Sequence, residues 1–394
     1  MKRLLLSFLA LLLLLAGCRG MYPDEYLSVN EHQAPFAYRE TTTQAPETTE
    51  PGPVRTPVSR AYDIREGIQA LVISGQEKGQ FLLKDYVGNV SEDMQNMFGF
   101  LLSDSPKYNY AMDSFDWYLS RDGENQLVNV EMQLRLTPQE VQDIDTLLFP
   151  NPALDALYRA LRQQRSSFTL QVSGYQETDI VALLEDYILH NPNQVTEAPG
   201  ISAAVYPDKG YLRVLELHFV YDTDRETLRL HREETASFLN LVQNQLSPNA
   251  TPQELVETLY KHLVPSFGYE ADPEATVYTQ VVKKVGSSRT MASVVEYLCG
   301  LAQLDCEILK GLRGEEPWYW NRILVDGQWL HVDLHAAALA GETPVLTPPE
   351  EMTGYSWDPE RYPEAETEAP PEETQEATQE ATTETQEIPE TTQE

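Results

Sequence analysis

The chain has 394 residues, and 62 Asp and Glu against 28 Lys and Arg give a formal net charge of −34. Such a length holds two or three domains, and so large an acidic excess argues against nucleic acid and against charge-driven binding to an anionic membrane face. Only three cysteines occur, Cys18, Cys299 and Cys306, so no disulfide framework supports the fold.

At the start, Lys2-Arg3 precede an apolar run over residues 4–15 and then Ala16-Gly17-Cys18. A short positive segment, a short apolar segment and small residues form an export signal. The run is too short for a spanning helix, which needs ~20 residues. The ending Leu15-Ala16-Gly17-Cys18 resembles the lipobox of bacterial lipoproteins. That resemblance implies that residues 1–18 are a lipoprotein signal and that Cys18 is lipidated. The membrane is then a partner through the lipid, and the chain sits on the extracytoplasmic face of a bacterial membrane.

Residues 19–60 carry "TTTQAPETTEPGPVRTPVSR", a Thr/Pro-rich stretch expected to be a disordered linker. At the other end, residues 363–394 read "PEAETEAPPEETQEATQEATTETQEIPETTQE", with many Glu, no Lys or Arg and almost no large apolar residue. Such a tail cannot bury enough surface to offset its ordering entropy, so it too is expected to be disordered.

Residues 61–246 read as an α+β region of hairpins and helices. Val128, Val130, Met132, Leu134 and Leu136 alternate with polar residues, as do Leu215, Leu217, Phe219 and Tyr221, which predicts two half-buried strands. Each follows a turn signal, Asp122-Gly123 or Pro207-Asp208-Lys209-Gly210, and so predicts the second arm of a hairpin. Upstream of each lies Ser-Gly, at Ser74-Gly75 and Ser173-Gly174, and a helix-like stretch. The order strand, Ser-Gly, helix, hairpin thus occurs twice and suggests a repeated unit over residues 65–149 and 162–239. Thr137-Pro138-Gln139-Glu140 and Thr251-Pro252-Gln253-Glu254 are capping boxes with Pro at the first helical position. The second opens a helix with Leu255, Leu259 and Leu263 on one face.

A further domain is expected over residues 247–362. From Gly286 the chain reads "GSSRTMASVVEYLCGLAQLDCEILKG", where Met291, Val294, Val295, Leu298 and Ala302 recur at helical spacing and Ser287 or Ser288 serves as N-cap. A strand follows from Cys306, then two apolar-aromatic runs joined by Asp326-Gly327, a strong two-residue hairpin turn. Cys299 and Cys306 are read as buried thiols, with a bridge between them left open. No C-x-x-C and no paired histidine motif occurs, so no metal and no cofactor is expected.

This segment resembles the transglutaminase-like superfamily of papain-type folds. The family's core-helix pattern falls on Ser288 and the helix after it. Its His-Ala-Trp-Asn strand falls on Trp318-Tyr319-Trp320-Asn321, and its Gly-x-Trp-x-x-x-Asp strand on Gly327, Trp329 and Asp333. A closing signature resembles Glu350-Glu351-Met352, Trp357 and Tyr362-Pro363. The resemblance implies an α+β fold with the core helix packed on an antiparallel sheet. It also implies a vestigial triad at Ser288, Trp318 and Asp333, because Ser stands at the cysteine position and Trp at the histidine position.

A thiolate mechanism needs a nucleophile activated by a neighbouring base. A serine hydroxyl is a far weaker acid, and indole offers one N–H donor and no basic lone pair. The bland readings are a helix N-cap for Ser288 and a packed aromatic for Trp318. His331 and His335 alternate with Asp333 along a strand, so a displaced Ser288–His335–Asp333 triad is the rescue. His331 sits where family members often carry a non-catalytic histidine, and nothing in the sequence puts His335 between Asp333 and Ser288.

The expectation is therefore a surface lipoprotein with an inactive transglutaminase-like domain, a pseudoenzyme working by binding. Trp318, Tyr319, Trp320 and Trp329 would meet an envelope glycan, a peptide or an envelope protein. The alternatives are a serine-dependent amidase or peptidase using Ser288 with a displaced histidine, and a passive envelope spacer.

Overall fold

The computed structural model describes residues 55–363 except 177, 248, 266 and 267. Cys18, the signal, the linker to residue 54 and the tail from 364 lie outside the described residues.

The first unit starts with β1 (Arg55–Val58), inside the stretch expected to be linker, where it runs parallel to β2 (Lys78–Leu83). Helix α1 (Ala61–Ser74) makes the crossover, ended by the Gly75 amide bonding back to Val72 at φ 72°, where a side chain would be strained. Helices α2 (Val90–Asp104) and α3 (Pro106–Tyr110) lead to the hairpin β3 (Met112–Asp122) and β4 (Asn125–Leu134). The strand order is β1-β2-β4-β3. Ile64, Ile68 and Val72, spaced for one helix face, pack with Met94, Met97, Val128, Val130 and Met132.

A short α4 (Pro138–Gln142), with its capping box formed at Thr137 and Glu140, joins the second unit. There β5 (Thr146–Leu148) runs parallel to β6 (Ser167–Ser173) across α5 (Asn151–Arg162), and α6 (Ile180–His190) leads to the hairpin β7 (Gly200–Tyr206) and β8 (Leu212–Val220). Its order, β5-β6-β8-β7, repeats that of the first sheet with the same parallel and antiparallel senses. Each sheet opens earlier in the chain than the spans 65–149 and 162–239, because a short first strand with little alternation precedes the crossover helix.

The C-terminal body begins with α7 (Arg225–Gln243). Leu239 and Val242 of that helix join Leu255, Leu259, Met291, Val295 and Ile323 in one core. The sequence boundary at residue 246 falls within the loop after α7, whereas the buried Leu239 and Val242 of α7 pack with the body beyond it. Then come α8 (Pro252–Leu263), β9 (Glu270–Ala271), a π-helical turn at Thr279–Lys283, β10 (Val285–Gly286) and the core helix α9 (Ser288–Leu301). β11 (Cys306–Arg313), β12 (Glu316–Val325), β13 (Gln328–Val332), α10 (Leu334–Ala340) and β14 (Tyr355–Trp357) complete the body. The sheet order is β13-β12-β11-β14, antiparallel throughout.

Alternation along β12 divides the two faces of this sheet. Ile323 joins the core under α9, and the Asn321 amide donates to the Ala292 carbonyl of that helix at 3.0 Å. Trp320 faces the other way, packed with Leu309 and Tyr362 and flanked by Met352 and Trp357. The closing aromatic residues of the sequence thus form a second, smaller core. Cys299 and Cys306 are free thiols, and burial beside Cys299 pushes the Cys306 thiol well up. The second unit docks on α9: Ser293 Oγ bonds the Leu189 carbonyl, and His190 Nδ1 bonds the Glu296 carboxylate at 2.6 Å. That carboxylate holds the His190 pKa above its ordinary value.

Candidate functional site

The N-terminus of α9 opens on a cavity of about 670 Å³ lined by Ser287, Ser288, Arg289, Arg313, Trp318, Tyr319 and His335, among others. An adjoining cavity of about 220 Å³ shares Ser287 and Arg289, and its other wall carries Ile188, Leu189 and Val195 of the second unit. The cleft is open, with Trp318 as one wall.

Ser287, not Ser288, is the N-cap of α9; its Oγ accepts from the Thr290 amide at 3.2 Å, and the Thr290 side chain reaches back to the Ser287 amide at 2.9 Å. The capping reading of Ser288 is therefore corrected. The capping box uses positions 287 and 290, which leaves the hydroxyl of 288, one residue into the helix, outside it. Ser288 Oγ accepts a long bond, 3.4 Å, from the Tyr319 amide of β12. Helix start and central strand are thereby tied together at the cleft.

Trp318 Nε1 donates to Asp333 Oδ2 at 2.6 Å. The same oxygen accepts from Tyr355 Oη at 2.8 Å, while Asp333 Oδ1 caps α10 through the Ala336 amide at 2.8 Å. Three donors thus converge on one carboxylate, and none of them is a base. The Arg313 guanidinium lies 5.2 Å from the Trp318 ring and 5.8 Å from the Tyr355 ring, cation–π distances that hold the indole from its outer side. The Asp333 carboxylate also helps hold the Tyr355 hydroxyl protonated, its pKa raised first by burial and then by that charge.

The two rescue histidines part company. His331 is fully buried on the far side, accepting from Trp320 Nε1 at 3.0 Å and lying 4.7 Å from the Trp357 ring. It does not line the cleft, so its candidacy as a displaced base is corrected. The β13 register points it into the second core. His335 does line the cleft. It sits not on the strand but in α10, 3% exposed, with its ring 5.2 Å from that of Trp318. Burial pushes its pKa down to about 4, so the imidazole is neutral near pH 7.

The tautomer of His335 follows from its neighbours. Gln280, fully buried, directs its amide nitrogen towards the Leu263 carbonyl at 3.5 Å, so its oxygen faces Tyr269. A carbonyl only accepts, so the Tyr269 hydroxyl donates to it, at 3.0 Å. Tyr269 Oη must then accept from His335 Nδ1, 2.9 Å away. Nδ1 carries the proton and Nε2 keeps a lone pair, with no hydrogen-bond partner among the described residues. Gly286 permits this relay: a Cβ there would come within 1.6 Å of Gln280 Oε1 and 2.4 Å of the Tyr269 hydroxyl.

The four aromatic binding candidates do not form one surface. Trp318 and Tyr319 line the cleft. Trp320 is 1% exposed, because Leu309, Tyr362 and Trp357 of β14 cover it in the second core; as a surface contact it is corrected. Trp329 lies against the Arg322 guanidinium at 4.3 Å, away from the cleft. Sequence reasoning missed Tyr269, Gln280, Arg289, Arg313 and Tyr355. Of these only Tyr355 had a signal, its place between Met352 and Trp357; the rest come from separate parts of the chain, Tyr269 from a loop, Gln280 from the π-helical turn, Arg289 from the start of α9 and Arg313 from the end of β11. Among the described residues no group of His, Cys, Asp or Glu is arranged to hold a metal ion, and no helix is long and apolar enough to cross a membrane.

No family model matches the chain, and no curated protein matches it. Two solved structures are similar in part. One is a TGase, at 10% identity and a TM-score of 0.22, covering 54% of this chain and 65% of that one. The other is a putative cysteine protease from Cytophaga hutchinsonii, at 10% identity and a TM-score of 0.20, covering 40% of this chain and 70% of that one. This chain therefore spans 65% of the length of the TGase. At such TM-scores neither likeness carries an argument about fold or activity.

Proposed function

We propose that the cleft beside α9 is a binding site in a catalytically silent, transglutaminase-like domain, carried by a lipoprotein on the outer face of a bacterial membrane. The observation that supports silence is the Trp318–Asp333 hydrogen bond of 2.6 Å. At the position where the resemblance expects a base, an indole gives its only N–H to the carboxylate and has no lone pair with which to take a proton. Ser288 Oγ faces a backbone amide, not a base. In this reading the two sheets of identical order are copies of one duplicated unit, and the second copy supplies a wall of the site. The ligand belongs to the cell envelope, as glycan, peptide or protein, and meets the faces of Trp318 and Tyr319.

A second reading is a serine amidase or peptidase in which His335 serves as the base. The lone pair on His335 Nε2 inside the cleft favours it. Against it, Asp333 is bonded to Trp318, Tyr355 and the Ala336 amide, and the group behind His335 is the Tyr269 hydroxyl. A neutral hydroxyl stabilises an imidazolium far less than a carboxylate does. A fluorophosphonate reacts only with an activated serine, so incubation with the full chain separates the readings. No labelling is expected; labelling abolished by Ser288→Ala would establish the enzyme and end the silent reading. Pull-down on purified envelope material, compared with Trp318→Ala and Tyr319→Ala variants, tests binding against a passive spacer.

A further inference from the structure

The start of α9 lacks the charge pattern that stabilises a helix N-terminus. Its first turn carries no acidic residue and instead carries Arg289, a cation at the positive pole of a 14-residue helix. Among the described residues Arg289 forms no ion pair, and its hydrogen bond is one of 3.5 Å to the Glu185 carbonyl. Ser287 takes up the Thr290 amide, while the amides of Ser288 and Arg289 have no partner among the described residues. Asp272 and Glu316 also line the cavity. Asp272 accepts from the Glu274 amide, and Glu316 lies opposite Arg313 in the β11–β12 ladder. The positive helix end thus carries no carboxylate in its own first turn, and the carboxylates of the cavity, Asp272 and Glu316, come from other elements.

The second observation is His335. It is 3% exposed, lines the same cavity, and offers Nε2 as a hydrogen-bond acceptor held in place by the Tyr269–Gln280 relay. Gly286, immediately before Ser287, lets that relay lie against the backbone at the start of α9. The cavity therefore presents two kinds of group together, donors and positive charge for an anion, and one acceptor for a neutral donor. A peptide's free C-terminus matches both: a carboxylate joined through one carbon to an amide N–H.

Resting on the reading of the cleft as a binding site, we propose that it recognises the C-terminal end of a peptide. The terminal carboxylate accepts from the Ser288 and Arg289 amides and the Arg289 guanidinium. The last amide N–H donates to His335 Nε2, and the terminal side chain lies against Trp318 and Tyr319. No bond is made or broken.

The test uses the full chain, with N-acetyl-Ala-Ala and its C-terminal amide as probes, followed by calorimetry and by 15N NMR of the imidazoles. The acid is expected to bind at least about tenfold more tightly than the amide, because charge-assisted bonds are lost in the latter. Arg289→Met, which leaves the two backbone amides, should cut that preference severalfold, and acid binding should shift the Nε2 resonance that His335→Phe abolishes. Equal binding of acid and amide, or a preference undiminished by Arg289→Met, overturns the carboxylate inference while leaving the cleft a binding site. Failure of both probes to bind overturns the peptide inference. The silent reading is judged separately, by fluorophosphonate labelling of Ser288.

Discussion

Trp318 and Asp333 are joined by a 2.6 Å bond from indole Nε1 to carboxylate Oδ2, across neighbouring parts of β12 and the β13–α10 junction. The bond aligns the two residues as the resemblance would align a base and the carboxylate that orients it. The indole donates its N–H to the carboxylate and has no lone pair with which to accept a proton. On the proposed reading, substitutions that supply a thiol and an imidazole at these positions should create a reactive pair.

Ser288→Cys alone places a thiol in the first turn of α9, where the helix dipole lowers its pKa modestly. Adding Trp318→His supplies an imidazole oriented by Asp333. The double variant should alkylate with iodoacetamide at pH 6 much faster than the single one, and Asp333→Asn, which keeps the α10 cap acceptor but removes the charge, should reduce the gain. Replacing indole by imidazole leaves a void costing ~2–4 kcal/mol, so folding is checked first by circular dichroism. A folded double variant no more reactive than the single would show that position 318 does not face position 288.

Trp318→Phe keeps the aromatic wall and removes the donor. Asp333 retains Tyr355 and the Ala336 amide. Loss of one bond to a partly buried carboxylate should reduce stability by about 1–2 kcal/mol in urea unfolding. No change would mean that the bond contributes nothing net.

His331 and His335 are 0% and 3% exposed, and burial lowers each pKa to about 4. With an unfolded value near ~6.5, the unfolded chain binds protons that the native state refuses between these limits. Stability is thus full above pH 6.5 and falls as pH decreases towards 4, by about 2 kcal/mol per histidine between pH 7 and 5. His190, raised by Glu296, acts in the opposite sense and offsets part of the loss. His335→Gln should flatten the pH 7-to-5 slope by roughly half of the histidine contribution. An unchanged slope would mean that His335 is protonated in the folded state.

Gly311→Ala should destabilise the body by about 2 kcal/mol or more, because overpacking here cannot relax. The new Cβ would meet the Ser356 carbonyl at 2.2 Å and the buried Trp320 ring at 2.8 Å, one fixed by strand pairing and the other by the second core. Gly300→Ala, on an exposed turn of α9 with nothing within 4 Å, should instead raise stability by roughly 0.5–1 kcal/mol. Thermal melts of the two variants should move in opposite directions.

The proposed anchor is tested by growing cells with an alkyne fatty acid. The wild type should take up the label and Cys18→Ala should lose it; equal labelling of both would remove the lipid from the account.

The sequence by itself determined the elements whose signals are local. Alternation at Val128–Val130–Met132 and at Leu215–Leu217–Phe219 marks buried strand faces, Asp326-Gly327 forms the β12–β13 turn, and the Thr251–Glu254 box starts α8. Each of these is set by residues within one turn or one strand, so periodicity and capping chemistry suffice. The nearness of Ser288, Trp318 and Asp333 was also legible, but only through resemblance. Tertiary structure alone decided which aromatic residues face the cleft, since Trp318 and Trp320 share a strand face yet the partly buried Trp318 lines the cleft while β14 and Tyr362 help bury Trp320. It decided that α7 joins the C-terminal core, through Leu239 and Val242. It decided the fates of the two histidines as well. His331 and His335 are four residues apart, but the strand ends between them at Asp333, so one side chain enters the second core and the other reaches Tyr269 from a different loop. Burial and hydrogen-bond partners of that kind come from segments distant in the chain, and no local pattern encodes them.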